Sequence, residues 1–262
     1  MKEENRSKAD VQNQFGKNAA NYVSSNIHAK GRDLERLKQI LEWNGTESVL
    51  DIATGGGHVA NALAPLARKV TAFDLTSEML VASEKFVKGN GHANVDFIQG
   101  DAEELPFGDD SFDVAVCRIA AHHFSNVSTF VQEAYRIVKK GGVFLLIDNT
   151  APENDRMDKF YNEMEKRRDY SHQRALKKSE WLCLIEEKGF ELEELYRFPK
   201  QFFFEKWCET MDVPEDEKHA LSEVMLQAPQ DIKQKFRIEE KNGTVYSFEA
   251  EAILLKALKK ES

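Results

Sequence analysis

Between residues 48 and 148 the chain alternates short apolar runs with amphipathic stretches, and this alternation limits the fold more than any other feature. The runs at 48–52, 69–75, 94–99, 112–117 and 143–148 have the length of strands and are dominated by apolar residues. The stretches at 57–66, 77–88 and 127–139 have the composition and length of helices. In the last of these, Val131, Ala134, Tyr135 and Val138 share a face, and Gly141-Gly142 follows as a stop signal. Apolar strands separated by helices imply a parallel sheet covered on both faces. The predicted fold is α/β, doubly wound and Rossmann-like.

Before about residue 45 only helices are predicted. The stretch 29–42 places Leu34, Leu37, Ile40 and Leu41 on one face. Residues 1–45 are therefore read as an N-terminal helical cap, and 46–262 as the main domain. The last third predicts a helix at 178–188, with Gly189 as its stop, a strand at 190–197 and a final strand at 245–258. Between these strands, 202–236 reads as a mostly helical insertion carrying Phe202, Phe203, Phe204 and Trp207. Such an insertion either walls a substrate pocket or adds a packed layer.

Composition removes several function classes. A formal net charge of −9 argues against a nucleic-acid substrate, because such binders gain affinity from a Lys/Arg surface that releases counterions. The basic run Lys166-Arg167-Arg168 lies among acidic residues and reads as a solvated helix face. Three cysteines without a Cys-x-x-Cys pair predict neither a disulfide framework nor a metal site. The N-terminus is polar, and no apolar run approaches the roughly 20 residues of a membrane span. The expected location is cytoplasmic.

The chemistry concentrates in the first strand-to-helix connection, Val49-Leu50-Asp51-Ile52-Ala53-Thr54-Gly55-Gly56-Gly57-His58. Glycines there permit a tight turn and close ligand approach. Asp74 ends the second strand, nineteen residues beyond Gly55, where a carboxylate can hold ribose hydroxyls. Gly55-x-Gly57-x-x-Ala60 also satisfies the loose dinucleotide fingerprint, so a nucleotide-dependent oxidoreductase is one reading. Asp51 opposes it, since a carboxylate at the loop entrance repels a pyrophosphate and suits a cationic cofactor. Asp101, after the third strand, can accept a hydrogen bond from an adenine amino group, and Ala102 can donate its backbone N–H to the ring.

An ordered set of motifs accompanies this loop: 15–22 (Phe-Gly-Lys-Asn-Ala-Ala-Asn-Tyr), Asp51 to Gly57, Asp74-Leu75-Thr76-Ser77-Glu78-Met79-Leu80, Gly100-Asp101-Ala102-Glu103-Glu104-Leu105-Pro106-Phe107 and Ser111-Phe112-Asp113. At these residues the chain resembles the class I S-adenosylmethionine methyltransferases of the ubiquinone/menaquinone-biosynthesis type. The resemblance implies a seven-stranded sheet whose last strand is antiparallel, and S-adenosylmethionine as cofactor. By position it implies that Asp51, Ala53, Gly55 and Gly57 line the methionine end and that Asp74, with Leu75 beside it, holds the ribose. It likewise implies that Met79 covers a face of the adenosine and that Asp101 and Ala102 read the adenine. Arg118 stands at a cofactor-side position where the family often has a smaller polar residue. The resemblance weakens after Gly142 and lacks the extended N-terminal signature of the quinone-methylating members, so a quinone acceptor is not among its implications.

The expected function is methyl transfer to a small or medium organic acceptor; the alternative is S-adenosylmethionine binding without catalysis. Three side chains are candidates for the chemistry. His122 and His123 follow the fourth strand at the carboxyl edge of the sheet, where either can serve as a base or merely shape the turn. Tyr22 either closes over the methionine end or staples the N-terminal segment.

Overall fold

A computed structural model describes the backbone of residues 2–23 and 31–261 and the side chains of residues 7–17 and 31–261. Its centre is a sheet in the order β3-β2-β1-β4-β5-β8-β6, with the short β7 attached to β8. The strands are β1 (Ser48–Ile52), β2 (Lys69–Asp74), β3 (Val95–Gln99), β4 (Phe112–Arg118), β5 (Val138–Thr150), β6 (Glu191–Phe203), β7 (Glu239–Lys241) and β8 (Thr244–Leu258). The first five pair in parallel. The last, β8, runs antiparallel to both β5 and β6. The expected seven strands with an antiparallel final strand are present, and β7 adds an eighth through a hairpin turn at Asn242-Gly243.

The helices are α1 (Lys2–Val23), α2 (Arg32–Gln39), α3 (His58–Leu63), α4 (Ser77–Gly89), α5 (Val127–Ile137), α6 (Asp155–Arg168), α7 (Lys178–Glu187), α8 (Phe204–Glu209), α9 (Glu215–Gln227) and α10 (Gln230–Lys235). Strand alternation sends Leu50, Ile52, Phe144, Leu146 and Leu255 into a core covered by α5 and α7. Val49, Leu145, Ile147 and Leu254 face the opposite way, onto α2, α3 and α4. Burial on both faces is why these strands read as continuous apolar runs.

Differences from the sequence reading have local causes. The predicted helix at 127–139 ends at Ile137, because Val138 is already extended and pairs with Phe112. The strand predicted over 190–197 continues to Phe203, because β8 offers it a partner as far as Ser247. Helix α6 was not predicted. Asn154 caps it by accepting from the N–H groups of Arg156 and Met157. The basic run forms its last turn, and only part of it is solvated: Lys166 donates to the carbonyls of Tyr170 and His172, and Arg168 bridges to the buried Glu165. Among the described residues no helix is long and apolar enough to cross a membrane.

Gly57 joins the turn between β1 and α3 to the packing of α4. Its φ is +80°, and an added Cβ would lie 2.8 Å from the Cβ of Ser83. Left-handed backbone costs a non-glycine residue about 1–2 kcal/mol, and overpacking about 1–3 kcal/mol. Gly57→Ala is therefore expected to lose about 2–5 kcal/mol in urea unfolding; an unchanged midpoint would show that α3 and α4 are not packed in this way.

Candidate active site

The turn from β1 to α3 is built from left-handed residues: Ala53 (φ +56°), Gly55 (φ +54°) and Gly57. Two carboxylates brace it. Asp51, 1% exposed, accepts from the Thr54 hydroxyl (2.5 Å) and the Ala60 N–H (3.0 Å). Asp74 accepts from the Gly55 N–H (2.8 Å) and the Thr76 N–H (2.9 Å), so it ties the first loop to the second. Burial pushes the Asp51 carboxyl up to about 7, because its neutral donors do not offset the loss of water. Burial also raises Asp74, against several backbone hydrogen bonds.

Beside these loops, Gly100 sits so close to Phe73 that an added Cβ would meet its ring at 2.5 Å. This contact sets Asp101 and Ala102 beside the ends of β1 and β2. Helix α1 crosses above them. Lys8 bridges Asp101 (2.5 Å) and Glu103 (3.0 Å), and Gln12 donates to the Leu75 carbonyl (3.1 Å).

Together these elements enclose a cavity of about 1010 Å³, counted out to its open mouth. Of the residues expected at the cofactor, Asp51, Ala53, Gly55, Asp74, Leu75, Met79, Asp101, Ala102 and Arg118 line it. Gly57 does not; it turns behind the loop toward Ser83. Arg118 has a structural task as well, bridging the buried Asp33 of α2 at 2.7 Å. Burial alone would raise Asp33, but the Arg118 guanidinium holds its carboxyl below the usual range.

The two histidines separate. His123 lines the cavity and meets Phe15 of α1 edge-on, with ring centroids 5.0 Å apart. His122 lies behind it, with Nδ1 2.6 Å from Oδ1 of Asp148 and its backbone N–H on Oδ2 of the same carboxylate. Burial disfavours charge on His122, but Asp148 outweighs it and raises the imidazole. His123 is lowered to about 4, first by burial and then by the charge of His122. His172 packs beside both rings and is lowered for the same reasons. Tyr22 falls on α1, but its side chain lies outside the described residues.

The insertion aromatics are elsewhere. Phe204 and Trp207 are buried with Met164, Met225 and Phe248, Phe202 packs against that cluster, and Phe203 is 49% exposed. None lines the cavity; its apolar side is made by Val11, Phe15, Ile119 and Phe124. The sequence reading missed Lys8, Val11, Asp169, Ser171 and His172, which reach the site through contacts distant along the chain.

Asp51 generates a pH prediction. Its folded carboxyl lies near 7 against 3.8 unperturbed, so the folded state binds the proton more tightly. Its contribution to stability is full below about 3.8 and is lost as pH rises through 7. Asp51→Asn, without ligand, is expected to gain over the parent as pH rises from 5 to 8. The expected gain is at least about 2–4 °C in Tm, the shift given by 1 kcal/mol in a chain of this size. Parallel Tm curves across that range would contradict the assignment.

Residues 50–146 match the family model for a methyltransferase domain, a span that contains Asp51, Asp74 and Asp101. The chain is 35% identical to the uncharacterized methyltransferase YcgJ of Bacillus subtilis, over 94% of this chain and 98% of YcgJ. The YcgJ crystal structure is similar with a TM-score of 0.85, covering 88% of this chain and 99% of that one. A structure described as a methyltransferase from Bacillus halodurans is 56% identical, with a TM-score of 0.86 over 88% of this chain and all of that one. The demethylmenaquinone methyltransferase of Chlorobaculum tepidum is 30% identical over 60% of this chain and 66% of its own length. These similarities bear out the resemblance seen in the motifs: the chain belongs to the S-adenosylmethionine-dependent methyltransferases.

Proposed function

We propose that this enzyme binds S-adenosylmethionine along the Asp51–Asp74–Asp101 cavity and methylates a small or medium organic acceptor at its Phe15–His123 end. The observation that carries the reading is Asp51, a buried carboxylate held by neutral donors at the cavity wall. A cationic ligand relieves such a group, whereas a pyrophosphate opposes it. The donor set fits the cofactor. Asp51, with the Ala53–Gly55 backbone, takes the methionine end, and Asp74 and Leu75 take the ribose. Met79 covers the adenosine, and Asp101 and Ala102 take the adenine. Arg118 contributes through its bridge to Asp33, which fixes the cavity wall.

When bound, the sulfonium supplies an electrophilic methyl group and accepts the electron pair of the broken carbon–sulfur bond. The chain's own work is to align the acceptor, exclude water and receive a proton. Helix α1 forms the cap, with Lys8, Val11 and Phe15 lining the cavity. His123, Tyr22 and, more distantly, His122 are the candidates on the acceptor side. The apolar lining there supports an organic acceptor and, with the acidic net charge, no nucleic acid. The cytoplasm is the proposed setting, supported by the free thiols of Cys117, Cys183 and Cys208.

Calorimetry is expected to show saturable binding of S-adenosylhomocysteine and none of NAD; the reverse would overturn the reading. Asp74→Ala is expected to weaken S-adenosylhomocysteine at least about tenfold, since 1.4 kcal/mol is one decade. The same variant should lose about 1–3 kcal/mol of stability, because two backbone N–H groups lose their acceptor. Unchanged affinity would remove Asp74 from the site.

A further inference from the structure

We propose that His123 is the proton acceptor for methyl transfer, and that Ser171 and Asp169 are positioning residues that fix which of its nitrogens is bare. The proposal rests on the methyltransferase reading above and narrows the acceptor to one that must shed a proton: a hydroxyl, an amine or an activated carbon.

The turn Ala121–His123 brings His123 to the cavity at the end of β4. Beneath it, residues 169–174 return and are fastened to the same turn. The N–H groups of Gln173 and Arg174 both donate to the His122 carbonyl, at 2.8 and 3.0 Å. This loop delivers Ser171 to His123, with Oγ 3.2 Å from Nδ1.

Hydrogen-bond valence decides the tautomer. The Ser171 hydroxyl has one proton, and its short contact is with Oδ1 of Asp169, at 2.6 Å. An ionised carboxylate only accepts, so that proton is committed to Asp169. Toward His123 the hydroxyl offers a lone pair, which favours the hydrogen on Nδ1. In the neutral imidazole this leaves Nε2 bare. Asp169 is buried, and its second oxygen, Oδ2, has no hydrogen-bond partner among the described residues. It lies 3.9 Å from Nε2, placed to receive an N–H once that nitrogen is protonated.

His122 is unsuited to the task. It does not line the cavity, and its Nδ1 is engaged by Asp148. The charged and titratable groups around His123 are His122, His172, Asp148 of β5 and Asp169 of the loop, with Arg168 at the end of α6 acting on Asp169 and Lys8 of α1 lining the same cavity. Burial and the neighbouring His122 charge keep His123 neutral at physiological pH at the cost of basicity, and the Asp169 charge beside it opposes that loss.

The step balances. The acceptor's electron pair forms the new bond to the methyl carbon, and the carbon–sulfur bond breaks with its pair going to sulfur. The proton lost by the acceptor passes to Nε2 of His123. One positive charge leaves the sulfonium donor and one appears on the imidazole, facing Asp169, so the net charge of the site is conserved.

The test is nitrogen-15 NMR of histidine-labelled protein with S-adenosylhomocysteine, together with methyl transfer to catechol as an O–H probe. His123 is expected as the Nδ1–H tautomer at pH 7, changing to a mixture in Ser171→Ala. An Nε2–H tautomer in the parent, or no change in Ser171→Ala, would overturn the proposal. With catechol, His123→Gln should lose about 100-fold or more in kcat with KM little changed. Ser171→Ala should lose about tenfold, with a displaced pH profile. Equal kcat in parent and His123→Gln would overturn the proposal, and without catechol turnover the tautomer decides. Calorimetric binding of S-adenosylhomocysteine by each variant separates failure of this proposal from failure of the methyltransferase reading.

Discussion

The left-handed turn after β1 is the constraint on which the site depends. Ala53 takes a backbone conformation that costs an L-residue about 1–2 kcal/mol. The surrounding structure holds it there. Thr54 donates its N–H to the Phe73 carbonyl on β2, its hydroxyl binds Asp51, and Asp74 receives the Gly55 N–H. The turn therefore leans on β2 beside β1, and the parallel order β3-β2-β1 sets all three acidic loops at one edge. In open α/β sheets that carboxyl edge is where ligands bind.

Charge is divided across the cavity. Asp51 and Asp74 lie on the loop side, buried and raised toward neutrality. The imidazoles lie at the other end, where Asp148 raises His122 and burial with the His122 charge lowers His123. Two adjacent residues of one type are thus shifted in opposite directions by environment alone. Above both ends runs α1, whose Lys8 engages Asp101 and whose Phe15 packs on His123.

The parts of this arrangement legible in the sequence are the local ones. Strands β1, β2, β4 and the Val143–Ile147 half of β5 are visible because burial on both faces makes them mostly apolar, and the edge strand β3 shows through Val95, Phe97 and Ile98. Asp51, Asp74 and Asp101 are visible because each lies within a few residues of a strand end in a motif. Helix α6 was invisible because its sequence is mostly polar and its burial comes from Tyr161, Met164 and Glu165 spaced along one face. The Ser171–Asp169 pair was invisible because it meets His123 across 48 residues, and no local pattern encodes that contact. For the Phe202–Trp207 cluster the sequence left a pocket wall and a packed layer both open, because aromatic rings in an insertion can also satisfy one another. Trp207 packs edge-on to Phe248 at 5.0 Å, which builds a separate core and leaves the cavity to α1.

A crystal structure with S-adenosylhomocysteine tests whether the Asp51–Asp74–Asp101 cavity holds the cofactor. The ligand amino group is expected at the Asp51 loop, the ribose hydroxyls on Asp74, and the adenine amino group on Asp101, with Lys8 drawn away from that carboxylate. A ligand bound elsewhere, or an adenine remote from Asp101 with the Lys8 bridge intact, would contradict it.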